Sequence, residues 1–202
     1  MKKKYFGLAG IIGSLSYFAS IIIFGLLKPG YSQIWQTVSE LNARGEANAI
    51  ALNICYSISA ILLIFFSFYF ILKKNFFAKI SGLLMAVSFA GLIFVNWFTP
   101  MDQWHGIRTP GDIIHNSVVT SLVVAFLISQ IFFIYFWFNE RKYNQILLPL
   151  TLFFASLFFA LISLWANINQ SEVINISERG WILTFLIWIF ILSCRISRKE
   201  LV

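Results

Sequence analysis

Charge is what this chain has least of. Only 11% of its 202 residues are charged, against 59% hydrophobic, whereas soluble domains carry about 25%. Little polar chain remains to build a soluble domain, and one membrane domain over 1–202 is the expectation. Cysteine is also scarce. Cys55 and Cys194 fall at opposite membrane depths, which excludes an internal disulfide, and neither stands at metal-ligand spacing from a histidine. The only histidines are His105 and His115. No H-E-x-x-H or other metallohydrolase signature is present. Within the apolar runs Gln130 alone stands out as a deep polar residue, too little for a polar file that conducts ions.

What is there is length of apolar chain. Six segments, at about 5–27, 49–72, 78–98, 116–138, 146–167 and 178–196, match the ~17–25 residues that cross a bilayer as helix. Short connections force neighbours antiparallel, so the expected fold is an all-α membrane protein with six transmembrane helices in an up-down bundle. Met1-Lys-Lys-Lys before the first segment resembles a signal peptide, but the apolar stretch exceeds a typical h-region, and an uncleaved first helix is expected.

The charges are unevenly shared. Eleven of the fifteen basic residues lie at the termini and in the second and fourth connections, with only Glu140 and Glu200 as acidic company. The other face carries Lys28, Arg44, Arg108 and Arg179 against Glu40, Glu46, Asp102, Asp112, Glu172 and Glu178. The positive-inside bias then places both termini in the cytoplasm, in a multi-pass protein of the cell membrane. The net charge of +7 is accordingly a topology signal. Clusters this short, with no stacking platform, exclude a nucleic-acid footprint.

Lipid supplies no hydrophobic drive between helices, so close packing needs small residues on one face. Ala9, Gly13, Ser16 and Ser20 supply them in the first helix, Ala51, Cys55 and Ser59 in the second, Gly82, Ala86 and Ala90 in the third, and Ser156, Ala160 and Ser163 in the fifth. Tyr31, Trp35, Trp97, Trp104 and Trp181 at one boundary, with Tyr5, Tyr135, Trp137 and Tyr143 at the other, read as interfacial belts. Ser32 reads as the N-cap of a short surface helix reaching Leu41, with Ile34 and Val38 on its apolar face.

Chemistry, if any, belongs to the outward loops. Asp102 and His105 are three apart, as are Asp112 and His115, which puts each pair on one face of a local helix. Two imidazoles and a carboxylate from Asp102, Asp112, Glu40 or Glu178 make a possible zinc site with an open position for water. Structural readings compete with it. Thr109-Pro-Gly-Asp112 is a capping box opening the fourth helix, and Ser177 with Glu178 suits the start of the sixth. Arg44, Arg108 and Arg179 sit in three different loops, where they either pair with carboxylates such as Glu40 or bind an anionic headgroup. Asn48, Asn53, Asn96 and Asn116 extend this polar region inward.

Pro29-Gly-Tyr-Ser32, Ser39-Glu-Leu41, Asn48-Ala49, His105-Gly106, His115 and Ser177-Glu-Arg-Gly180, set among six apolar helices, resemble the bacterial and archaeal membrane family catalogued as domain of unknown function 998. The resemblance implies a prokaryotic cytoplasmic-membrane protein of six helices and no established activity. It singles out Tyr31, Ser32, Ser39, Glu40, Asn48, His105, His115, Glu178 and Arg179. A more distant likeness is to the alkaline ceramidase and adiponectin-receptor superfamily, metal-dependent hydrolases of seven helices with three histidines; this chain has one helix and one histidine fewer. Tyr31, Ser32, Ser39, Glu40, Asn48, Arg108, Glu178 and Arg179 form a candidate site for a lipid headgroup or small anionic ligand. The alternatives are a metal-dependent lipid hydrolase, using Asp102, His105, Asp112 and His115, and a small transporter or structural membrane protein.

Overall fold

The computed structural model describes residues 3–102, 109–141, 146–169, 171 and 173–198. Helices α1 (Lys3–Leu27), α2 (Ala49–Ile71), α3 (Phe76–Phe98), α4 (Pro110–Asn139), α5 (Leu147–Ile168) and α6 (Val173–Ser197) account for most of them, with one 3-10 turn at Ser39–Asn42 and no strand among the described residues. All six helices are long and apolar enough to cross a membrane. Each packs on its neighbour in the chain, and α6 closes the ring against α1. Contact between α4 and α5 is the sparsest of these, and the bundle opens there.

The packing is that of a protein in lipid. Ser59, Ser67, Ser81, Ser129 and Ser193 are fully buried, while Ile54, Ile58 and Ile61 on α2 face outward. Burying small polar groups lets backbones approach and hydrogen-bond across helices. Ser16 meets Ser59 at 2.9 Å, Ser81 meets Ser129 at 3.1 Å, and Ser156 donates to Thr184 at 3.0 Å. The expected small-residue faces are thus largely in use, although Ala51 and Ala90 point outward. An aromatic column fills the centre, where Phe126 and Phe133 pack edge-on against Trp188 at 5.6 and 5.2 Å.

Three local expectations need correction. Helix α6 starts at Val173, ahead of the expected 178, because Ser171 Oγ accepts from the Val173 N–H and the apolar pattern already runs through Ile174 and Ile176. Ser177 is therefore an interior helical residue, accepting from Ser163 at 2.8 Å, and not a cap. The surface helix expected between Tyr31 and Leu41 is a turn followed by the 3-10 turn; Ser32 does cap the start, accepting from Ile34 and Trp35 N–H groups. Trp137 is no interfacial anchor. It is fully buried, under the Arg195 guanidinium at 5.1 Å from its ring. Trp104 and Tyr143 lie outside the described residues.

The capping box at α4 is present as read. Thr109 Oγ1 accepts from Asp112 N at 3.1 Å while Asp112 accepts from Thr109 N at 3.0 Å, with Pro110 in the first helical position. Both cysteines are free.

Candidate functional site

The described residues after α1 meet the end of α3 and the first turns of α4 and α6 at the end of the bundle away from the termini, and the segment 31–42 is pinned there from several sides. Asn42, buried, donates to Asn53 Oδ1 at 2.8 Å and Asn96 Oδ1 at 3.0 Å, and Asn53 donates to the Asn96 carbonyl at 2.9 Å. This asparagine cluster fastens the 3-10 turn to α2 and α3. Asn42 was not among the expected members; Asn48 and Asn116 take no part. Lys28 pairs with Glu46 at 2.8 Å and donates to the Glu40 carbonyl, tying the end of α1 to the same loop.

Glu40 and Arg179 do not pair with each other. Glu40 Oε1 accepts from Thr37 N and Oγ1, both at 3.0 Å, its Oε2 accepts from Gln36, and Thr37 Oγ1 accepts in return from Glu40 N. This reciprocal Thr37-x-x-Glu40 bonding satisfies the Thr37 and Glu40 N–H groups at the start of the 3-10 turn. Arg179 turns instead to the Tyr31 hydroxyl and the Gln36 carbonyl, with its guanidinium 5.6 Å from the Tyr31 ring centre. Burial pushes the Tyr31 hydroxyl up to about 12, only partly offset by Arg179. It therefore keeps its proton, and donates it to the Thr37 carbonyl at 2.7 Å.

Beside this clamp three residues from distant parts of the chain converge. Glu178 Oε2 accepts from Val38 N and its Oε1 from Ser39 Oγ, each at 2.8 Å. On the other side of Ser39, His115 brings Nε2 to 3.2 Å of Oγ, and its Nδ1 lies 2.7 Å from the Thr99 carbonyl. That carbonyl only accepts, so Nδ1 carries the hydrogen. Two gaps then remain, Nε2 to Oγ and Oγ to Oε1. The serine hydroxyl hydrogen is turned to Oε1, and Nε2 faces Oγ as an acceptor. His115, Ser39 and Glu178 thus form one continuous hydrogen-bonded chain.

The metal reading fares less well on geometry. Both ring nitrogens of His115 are engaged. Asp112 is buried and spends its oxygens on the N–H groups of Asp102 and Thr109, while Asp102 takes the Thr109 hydroxyl and lies 3.5 Å from Arg44. No cluster of three His, Cys, Asp or Glu suited to a metal occurs among the described residues. His105 and Arg108 lie outside them.

Next to the cluster is a cavity of about 830 Å³ between α4, α5 and α6, within the ~300–1,000 Å³ of small-molecule sites. Ser39, Glu40, Asp112, Asn116, Asn175 and Glu178 line its polar end, and the wall then turns apolar through Val119, Val123, Leu127 and Ile131 of α4 opposite Leu157, Leu161 and Leu164 of α5. At ~1.5 Å per residue the α4 wall from Val119 to Ile131 runs about 18 Å. That exceeds half of the ~30 Å hydrocarbon core.

Six apolar spans around a polar cluster at one end define a polytopic, all-helical membrane protein. The chain belongs to the family described as protein of unknown function (DUF998), whose model matches residues 11–195. No curated protein and no solved structure matches it.

Proposed function

We propose that this protein binds one membrane lipid in the cleft between α4, α5 and α6, with its headgroup at Glu40 and Glu178 and Ser39 at the headgroup's inner edge. The carrying observation is the cavity's two-part lining, polar at the loop end and apolar over more than a leaflet's depth. A small soluble ligand has no use for the apolar stretch; an acyl chain does. A cleft at the weakest helix contact of the ring also gives a tail a sideways route from the bilayer. The polar end favours a headgroup that donates hydrogen bonds over an anion. Three carboxylates line it and, among the described lining residues, no basic side chain does, since Arg179 is turned to Tyr31 and Gln36.

Filling the groove tests this. Leu127→Trp and Ala160→Trp place bulk on facing walls without touching the polar end. Wild-type protein released from membranes into the gas phase should retain one lipid per chain, and the double variant should lose at least ~90% of that population with its helix content intact. Equal lipid retention by both, or none by wild type, refutes the reading.

A further inference from the structure

The cleft places a serine where a lipid's ester group would lie. Ser39 is on the cavity wall at the polar end, ahead of the point where α4 turns apolar at Val119, and in a glycerolipid the acyl ester sits between headgroup and tail. The same hydroxyl is within hydrogen-bond reach of His115 Nε2, whose other nitrogen is oriented by the Thr99 carbonyl. A nucleophile, a base at ~2.6–3.2 Å and a third group fixing the base is the arrangement that activates serine in covalent catalysis. Several other serines of the bundle satisfy themselves on helix carbonyls four residues back, as Ser14, Ser20 and Ser67 do. Ser39 has instead a carboxylate on one side and an imidazole on the other.

We propose that Ser39 is an acyl-accepting nucleophile acting on a carboxylic-ester lipid, an inference that rests on the lipid-binding reading above. With its hydrogen turned from Glu178 to His115 Nε2, Ser39 Oγ attacks the ester carbonyl carbon and that proton passes to Nε2. The carbon to alkoxy-oxygen bond then breaks, and the departing alcohol takes that proton from His115. Water, deprotonated by the same nitrogen, attacks the acyl-serine, releasing the fatty acid and returning the proton to Ser39. Glu178 provides the countercharge while the imidazole is protonated, through the oxygen they share. Asn116, on the cavity wall with its amide unengaged among the described residues, is an uncharged donor available to the carbonyl oxygen as it gains charge.

An alkyl fluorophosphonate, whose phosphorus an activated serine attacks with loss of fluoride, tests the nucleophile in the full chain held in lipid nanodiscs. Mass spectrometry should find the adduct on Ser39 of the wild type and none in Ser39→Ala. In His115→Gln labelling should slow at least ~100-fold, with one lipid still retained. No adduct on wild-type Ser39, while a known serine hydrolase in the same nanodiscs labels fully, overturns the proposal whatever the variants do. So does labelling of another serine that persists in Ser39→Ala, or an unchanged rate in a folded His115→Gln. Lipid retained without an adduct removes this inference alone; no lipid retained removes the binding reading beneath it.

Discussion

Single residues in this bundle are judged by whether their polar atoms find partners, because the bilayer offers no water in exchange. Gln130 fails that test. It is fully buried on α4, and neither its amide nitrogen nor its carbonyl oxygen has a partner among the described residues. Leaving such a group unsatisfied costs about 1–3 kcal/mol, so Gln130→Leu, of nearly the same length, should raise the thermal unfolding midpoint measured in detergent. A lowered midpoint would mean that the amide is satisfied in the membrane after all. The polar end shows the opposite economy, with Glu178, Ser39 and His115 each holding at least two bonds between them and the backbone. The separate members of that group were legible in the sequence, as polar residues stranded at the ends of apolar runs. Their meeting was not: Ser39 lies 76 residues from His115 and 139 from Glu178, and no local pattern encodes such a distance. The Thr99 carbonyl that fixes the imidazole had no signature at all, since every residue carries a backbone acceptor.

Elements meet where a glycine lets them. A methyl group on Gly7 of α1 would come within 2.6 Å of the Ser193 carbonyl and 2.9 Å of the Ser197 nitrogen on α6; one on Gly82 of α3 would reach 2.8 Å from the Ile71 nitrogen of α2. These are backbone atoms and cannot swing aside. Alanine gains roughly 1 kcal/mol over glycine in helix propensity, but forcing helices apart typically costs about 1–3 kcal/mol. Gly7→Ala and Gly82→Ala should therefore both be net destabilising, read as a lower midpoint in a thermal or denaturant unfolding series. Should either variant prove more stable, the close approach of those two helices is wrong. Helix spans and small faces were readable because composition and spacing of three and four directly set them. The start of α6 was not, because the polar Ser177-Glu-Arg-Gly180 run looks like a loop until it is seen facing other polar groups inside the bundle. Nor was the 3-10 turn, although Thr37-x-x-Glu40 carried the spacing of its reciprocal bonds.

At the scale of the molecule, six alternating spans put both termini at one end, and the contact of Gly7 with Ser193 and Ser197 agrees. That end gathers Lys3, Lys73, Lys74, Arg141, Arg195 and Arg198, while the cleft's polar mouth at the other end gathers Glu40, Asp112 and Glu178. Under the positive-inside bias the mouth is expected to face away from the cytoplasm, and a lipid bound as proposed above would then come from the outer leaflet. Two exposed loop positions decide the matter: Ala47, ahead of α2 at the cleft end, and Lys74, between α2 and α3 at the other. In a Cys55→Ser, Cys194→Ser background, Ala47→Cys should react with a membrane-impermeant maleimide in intact cells, and Lys74→Cys only after permeabilisation. The reverse pattern would leave the six-helix fold untouched and turn the cleft to the cytoplasmic leaflet. Lipid supplied to the outer leaflet alone would then fail to reach Ser39, so labelling and leaflet-specific delivery must agree.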